Sequence, residues 1–257
     1  RIFDYNLLPR GFVYQLQKEY EKAISDYTKA LEVNPKDAKT YHNRGIVYNV
    51  KGDFDQAISD YTRFIELNPK DAEAYYNRGV AHKAKGNLDQ ALSDCAKAIE
   101  LNPKLAPAYN HRGIIYKGQG KLDQAIADYT QAIEINPKYA EAYYNRGNAY
   151  AARENSEQAI SDYTKAIEAN PEFVLAYTNR GWFYDAQGDY DRAIADFSKA
   201  IAVEPRLVAA YNNRAVSYYS KKEYDKAWED VHKVESLGRK VKPDFLEELK
   251  KASGREK

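Results

Sequence analysis

Four histidines and one cysteine are the residues of this 257-residue sequence best suited to metal or nucleophile chemistry, and their spacing argues against both. His42, His82, His111 and His232 stand far apart, and no pair has metal-ligand spacing. Cys95 has no cysteine partner for a disulfide framework or a cysteine-based zinc site. It falls where corresponding segments carry Tyr61 and Tyr129, and reads as a small apolar filler. Gly118-Gln119-Gly120-Lys121 has the glycines and lysine of a phosphate loop, but no strand precedes it, and Lys51-Gly52-Asp53 holds the same place as a turn. Carboxylates recur at fixed intervals, as structural residues do. These features predict a protein without catalytic residues, cofactor or metal. The chemistry the sequence does repeat is that of the amide, at Asn43, Asn77, Asn145, Asn179 and Asn213, with His111 filling the one gap. An amide offers one acceptor and two donors, which matches the alternating groups of a peptide backbone. Asparagine is also a mediocre helix former, costing about a few tenths of a kcal/mol per site, so its repetition invites an explanation.

Composition narrows the partner class. Thirty-nine Lys and Arg against 38 Asp and Glu leave a net charge of +1, far from the surplus a general nucleic-acid binder needs. Hydrophobic residues make up 44% of the chain, enough for a core, while a mean hydropathy of -0.78 predicts solubility. No apolar run approaches the roughly 20 residues of a membrane helix. The expected partners are therefore a protein or peptide ligand, with self-association possible, and neither nucleic acid nor membrane insertion. The sequence lacks methionine and begins Arg1-Ile2-Phe3-Asp4, without a charged-then-apolar signal pattern. That start reads as a processed or excised segment whose targeting sequence is out of sight, with the cytoplasm as default.

The elements that position these residues follow from a fixed period. Asn34-Pro35, Asn68-Pro69, Asn102-Pro103, Asn136-Pro137 and Asn170-Pro171 recur 34 residues apart, and Glu204-Pro205 keeps the beat. Such a period marks stacked repeats. Each repeat reads as two helices. In the second, residues 38–50 place Tyr41, Val47 and Tyr48 at helical spacing, and Lys51-Gly52 ends the run. Asp53-Phe54-Asp55-Gln56 reads as a capping box opening a second helix that continues to Leu67. There Asn68 is expected in the left-handed cap conformation, with Pro69 forbidding continuation. Gly45 and Ala57 belong to columns of small residues where antiparallel helices approach closely.

The 34-residue period, the Tyr-x-Asn-Arg-Gly-x-x-Tyr run, and the Ala57 and Pro69 columns resemble the tetratricopeptide repeat. The resemblance covers seven repeats at 4–37, 38–71, 72–105, 106–139, 140–173, 174–207 and 208–241, with 242–257 as a capping helix and frayed tail. It implies an all-α solenoid, a right-handed superhelix of antiparallel helix pairs whose concave wall is built from the first helix of each repeat. The first repeat departs from the pattern. Pro9 stands inside its first helix, so that helix should be short, with Ile2, Phe3, Tyr5, Leu7 and Leu8 as an apolar lead segment. At the other end Gly238 replaces the Asn-Pro stop, and Pro243-Asp244 opens a helix that covers the apolar end of the array.

Two further columns never vary. Arg10, Arg44, Arg78, Arg112, Arg146, Arg180 and Arg214 recur with Asp26, Asp60, Asp94, Asp128, Asp162, Asp196 and Asp230 on the facing helix. Their strict period predicts a ladder of ion pairs that fixes helix register more than it adds net stability. A ligand site should break symmetry, and the varied inner columns do so. The amide column, including His111, is expected to meet a ligand backbone about every third residue, since helices pack about 8–10 Å apart and an extended chain advances about 3.3 Å per residue. This arrangement resembles the asparagine ladder of the tetratricopeptide superhelix in O-GlcNAc transferase. Below about pH 6 His111 should change from amide mimic to double donor. Ile46, Val80, Ile114 and Trp182, with Phe12 and Val216, are expected to form side-chain pockets beside Tyr76 and Tyr144, and Lys83 and Lys117 to favour an acidic residue. The carboxylate clamp of chaperone adaptors does not fit, because Leu8, His42, Tyr76, Asn110, Tyr144, Thr178 and Asn212 stand where it needs lysine. The sequence therefore reads as an interaction scaffold binding an extended peptide or partner helix. The alternatives are a substrate-recruiting module excised from a larger enzyme and a self-assembling structural protein.

Overall fold

A computed structural model describes residues 7–255, and the lead residues Ile2, Phe3 and Tyr5 lie outside them. The described residues form fifteen α-helices and no strand, an all-α repeat solenoid. The chain divides into two compact units between Asn136 and Pro137. The first unit holds α1 (Leu7–Leu16), α2 (Tyr20–Val33), α3 (Ala38–Lys51), α4 (Phe54–Leu67), α5 (Ala72–Ala84), α6 (Leu88–Leu101), α7 (Ala106–Gly118) and α8 (Leu122–Ile135). The second holds α9 (Ala140–Ala152), α10 (Ser156–Ala169), α11 (Val174–Ala186), α12 (Tyr190–Val203), α13 (Val208–Ser220), α14 (Tyr224–Ser236) and α15 (Pro243–Ser253). Within each unit, every odd-numbered first helix up to α13 packs on the second helix that follows it, and each second helix packs on the next first helix. The short connections make the paired helices antiparallel.

The turns explain the boundaries. Between first and second helices the chain needs one residue with positive φ, which Gly52 supplies at +85°. Lys18, Glu154 and Lys222 occupy the same column without glycine and still take φ near +60°, so the fold imposes this turn at a cost of about 1–2 kcal/mol. The second helices stop differently from the sequence expectation. Asn68 is not left-handed; its φ is −134°, because Pro69 pushes the residue before it into extended backbone. The asparagine side chain instead braces the turn, as where Asn102 Oδ1 accepts from the Lys104 N–H at 3.0 Å. The capping box at Asp53 is also absent, since no side-chain cap bond forms there and the carboxylate lies 3.3 Å from Lys51 Nζ. Asp189 and Asn155 do cap α12 and α10 through the backbone N–H groups of Arg192 and Gln158.

Packing between paired helices rests on small residues facing rings. Ala57 is wholly buried, and a Cβ added at Gly113 would lie 2.7 Å from Cε1 of Tyr129. The third repeat differs: with Cys95 in the ring's place, a Cβ at Gly79 meets nothing nearer than Asp94 Cβ at 3.2 Å. The Cys95 thiol is fully buried and burial pushes its pKa up to about 12, consistent with a filler.

The ion-pair ladder is complete. Arg44 donates through Nε and Nη2 to the two carboxylate oxygens of Asp60, each at 2.8 Å, and the other six pairs repeat this fork. Nη1 of Arg44 reaches back to Thr28 Oγ1 at 2.9 Å, tying its pair to the preceding repeat, as Arg78–Thr62, Arg180–Thr164 and Arg214–Ser198 do. Tyr41 and Tyr48 flank the Arg44 guanidinium. Burial raises the Asp60 pKa despite its arginine, whereas the hydrogen bonds that Arg112 donates to Asp128 raise the pKa of Arg112. Desolvation thus offsets part of the attraction, and the fork fixes register.

The first helix is short, with ten residues and Pro9 in its first turn, but it starts at Leu7, so Leu7 and Leu8 belong to α1 rather than to a lead segment: Leu7 is buried and Leu8 packs against Ala23, Tyr27 and Val47. Val13, on the face that other first helices bury against the preceding repeat, is 48% exposed, whereas Val47 is fully buried. α15 closes the other end through Leu249, which is fully buried, and through Ser253, whose Oγ accepts from Trp228 Nε1 at 3.0 Å.

Candidate functional site

Helical periodicity sorts each first helix into a ladder face and a display face. Residues at offsets of four and seven share the display face, placing His42, Ile46 and Asn49 together on α3. Tyr76, Val80 and Lys83 line up on α5, and Asn110, Ile114 and Lys117 on α7. The same columns in the second unit read Tyr144, Asn148 and Ala151 on α9, Thr178, Trp182 and Asp185 on α11, and Asn212, Val216 and Tyr219 on α13.

The amide column sits beside this face, partly buried, and part of its capacity is already used. In the first unit Asn77 Nδ2 lies 3.3 Å from His42 Nε2, linking α5 to α3. His111 packs edge-on to Tyr76, with ring centroids 5.9 Å apart, and hydrogen-bonds the Gly79 backbone. It is buried, and its Nε2 has no hydrogen-bond partner. Burial first, and then the charge of Lys83, lowers its pKa to about 4. The change of donor pattern expected near pH 6 is therefore displaced to about pH 4, because the imidazole is shielded from water. In the second unit Asn179 Nδ2 donates to Asn148 Oδ1 at 3.0 Å and to the Tyr144 hydroxyl at 3.4 Å, while the Tyr163 hydroxyl donates to Asn148 Oδ1 at 2.8 Å. Asn43, Asn145 and Asn213 are partly buried on their helices.

The apolar residues divide the two units. Ile46, Val80 and Ile114 are partly buried. Trp182 is 55% exposed and touches Phe183 edge-on at 4.9 Å. Leu175, two turns earlier on the same face of α11, is 51% exposed, and Val216 stands in Trp182's column on α13. Tyr144 packs on Phe173 at 5.0 Å and is partly buried. Sequence reasoning passed over Leu175, although its offset of seven from Trp182 was readable. It also passed over Asn148, whose role depends on two neighbours from other helices, Tyr163 and Asn179.

Charge also differs. Lys83 is exposed and Lys117 partly buried, and neither has an ion-pair partner among the described residues. Lys51, Lys85 and Lys97, on other faces of the same unit, pair with Glu21, Asp55 and Glu100. Among the described residues no group of three or more His, Cys, Asp or Glu side chains gathers to hold a metal ion, and no helix is long and apolar enough to cross a membrane.

Comparison with known proteins agrees with this architecture. Tetratricopeptide repeat family models match residues 10–37, 72–105, 140–173 and 174–207, and a further tetratricopeptide model matches 26–59 and 95–127. A third, described as TPR repeat, matches 47–86 and 115–153. No curated protein sequence matches the chain. Among solved structures, MamA is 30% identical over 63% of this chain and 94% of its own, with a TM-score of 0.58. A tetratricopeptide repeat protein from Parabacteroides merdae is 21% identical, covering 97% of this chain and 98% of its own, with a TM-score of 0.67. YrrB, described as a TPR protein with an unusual peptide-binding site, is 24% identical over 72% of this chain and 95% of its own, with a TM-score of 0.54. The last two likenesses are of fold.

Proposed function

The chain belongs to the tetratricopeptide repeat family, and we propose that it is an interaction scaffold that binds an extended peptide or partner helix on the display faces of its first helices. One observation carries the reading: Trp182 and Leu175 stand more than half exposed on one face of α11, while the alanines and rings behind them are sealed. A monomer gains nothing from holding a tryptophan in water, whereas a partner side chain against it gains a large, stiff apolar contact. Tryptophan is accordingly over-represented among residues that dominate binding. Asp185 and the amides of this face supply the polar rim. The Asp185 carboxylate is already oriented by the Ser217 hydroxyl.

The test is a display selection of random peptides against the whole chain, followed by affinity measurement with variants. Trp182→Ala should weaken peptides that use its pocket by about 30-fold, the equivalent of about 2 kcal/mol, without lowering the melting temperature. Lys97→Ala on the outer face of α6 should leave them unaffected. Selected peptides that bind Trp182→Ala and wild type alike would remove the α11 face from the function.

A further inference from the structure

The first helices of the two units differ in charge once the ladder is set aside. Every ladder arginine is neutralised by its aspartate. What remains on α3, α5 and α7 is Lys39, Lys51, Lys83 and Lys117 against a single acid, Glu73. What remains on α9, α11 and α13 is Glu141 and Asp185, with no lysine at all. Lys51 is paired with Glu21, whereas Lys83 and Lys117, on the display side of this unit, have no ion-pair partner among the described residues.

Two of these lysines are the focus. Lys83 and Lys117 occupy equivalent places on α5 and α7, helices in direct contact. Glu73 is ten residues away at the other end of α5, about 15 Å along the helix axis. The pair also lies in the last turns of its helices, where a cation offsets the helix dipole, and that role alone would account for a lysine. It does not account for the contrast with α9, α11 and α13, which end equally exposed without one. Nor does it account for His111 on α7, buried with an unpartnered nitrogen and close enough to Lys83 to feel its charge. Val80 and Ile114, one turn before the lysines, give the same face an apolar row.

We propose that the display face of α5 and α7 selects an acidic protein segment, in which carboxylates meet Lys83 and Lys117 while intervening apolar side chains rest on Val80 and Ile114. This rests on the scaffold reading above and gives the first unit its ligand class. The fit is one of spacing. Packed helices lie about 8–10 Å apart and an extended chain advances about 3.3 Å per residue, so acidic residues three apart reach successive lysines.

Two labelled twelve-residue peptides test this, one repeating Glu-Val-Ser and one repeating Gln-Val-Ser, titrated by fluorescence anisotropy against the whole chain. Exposed charge contacts are individually small, so the acidic peptide should bind about tenfold more tightly, with the difference shrinking in high salt. Lys83→Gln/Lys117→Gln should bring the two peptides within about twofold of each other. Lys97→Gln, which loses a lysine already paired with Glu100, should keep the preference. Equal binding of both peptides by wild type would overturn the proposal and leave the scaffold reading standing. A preference that survives in the double variant would also overturn it. So would single-stranded DNA displacing the acidic peptide at equal charge concentration, which would mark a general polyanion surface. If neither peptide binds, the acidic selection falls, and peptides recovered by display then decide the scaffold reading separately.

Discussion

The first and second units share one skeleton and display different surfaces. Arg78 grips Asp94 and Thr62 just as Arg180 grips Asp196 and Thr164, atom for atom. On the display face the units part company: Lys83 and Lys117, each five residues after a ladder arginine, mark one, and Leu175, Trp182 and Asp185, five before, two after and five after Arg180, mark the other. The difference teaches which columns the fold consumes. A residue whose neighbours come from the same column of adjacent repeats cannot vary without a matching change in them. A residue facing outward from the first helix has no such debt, and specificity accumulates there.

Breaking the shared skeleton should give the largest effect, and the same one in both units. Arg112→Leu and Arg180→Leu each strand a buried carboxylate, which typically costs about 3 kcal/mol or more. Adding Asp128→Ala to the first, or Asp196→Ala to the second, should recover at least half the loss in urea melts. Additive losses, or a strong effect in only one unit, would show that the ladder is not the common support.

Acid should separate the units by a comparable amount. His111 titrates near 6.5 in an unfolded chain and near 4 when buried, so between these values the unfolded chain binds a proton that the folded one refuses. Stability contributed by this site is complete above about pH 6.5 and falls by up to about 3 kcal/mol as the pH drops toward 4. His82, whose pKa burial also lowers, acts in the same sense within the same unit. Asp60 and Asp230, with pKa values raised by burial, act in the opposite sense nearer pH 4, one in each unit. Hydrogen exchange should therefore show α5 to α8 losing protection before α11 to α14 on acidification, and His111→Asn should remove most of the difference. Equal loss in both units would mean that His111 is hydrated.

Much of this was legible in the residues because it is periodic. The helix pairs, the Arg–Asp ladder, the glycine turn at Gly52 and the cap at Pro243 repeat or end a pattern, and a pattern needs no coordinates. The misreadings fell where a neighbour outside the motif decides. Asn68 is set by the proline after it, and Asp53 is drawn to Lys51 rather than to its helix. The His111 environment depends on Tyr76 and Gly79 from another repeat, together with the cysteine that stands where other repeats have a ring. Leu175 was hidden for a simpler reason: leucine is ordinary in a helix, and only its exposure is unusual.

The asparagines give the smallest expected effect and the sharpest distinction between the units. Asn179 donates two hydrogen bonds to its own neighbours, so Asn179→Ala should lower stability by about 1 kcal/mol, less a few tenths returned by alanine's better helix propensity. Asn148 keeps the Tyr163 hydroxyl as a partner, which limits the damage. Asn77 makes one longer contact with His42, so Asn77→Ala should leave the melting temperature nearly unchanged. If the amide column holds a ligand backbone, Asn77→Ala should still weaken peptide binding by about 1 kcal/mol, and by a similar amount for peptides of unrelated sequence, because backbone contacts do not read side chains. Calorimetric melts and peptide titrations on the two variants separate these roles. Lower stability with unaltered binding in both would make the whole column a set of bridges between helices, leaving recognition to the tryptophan and the lysines.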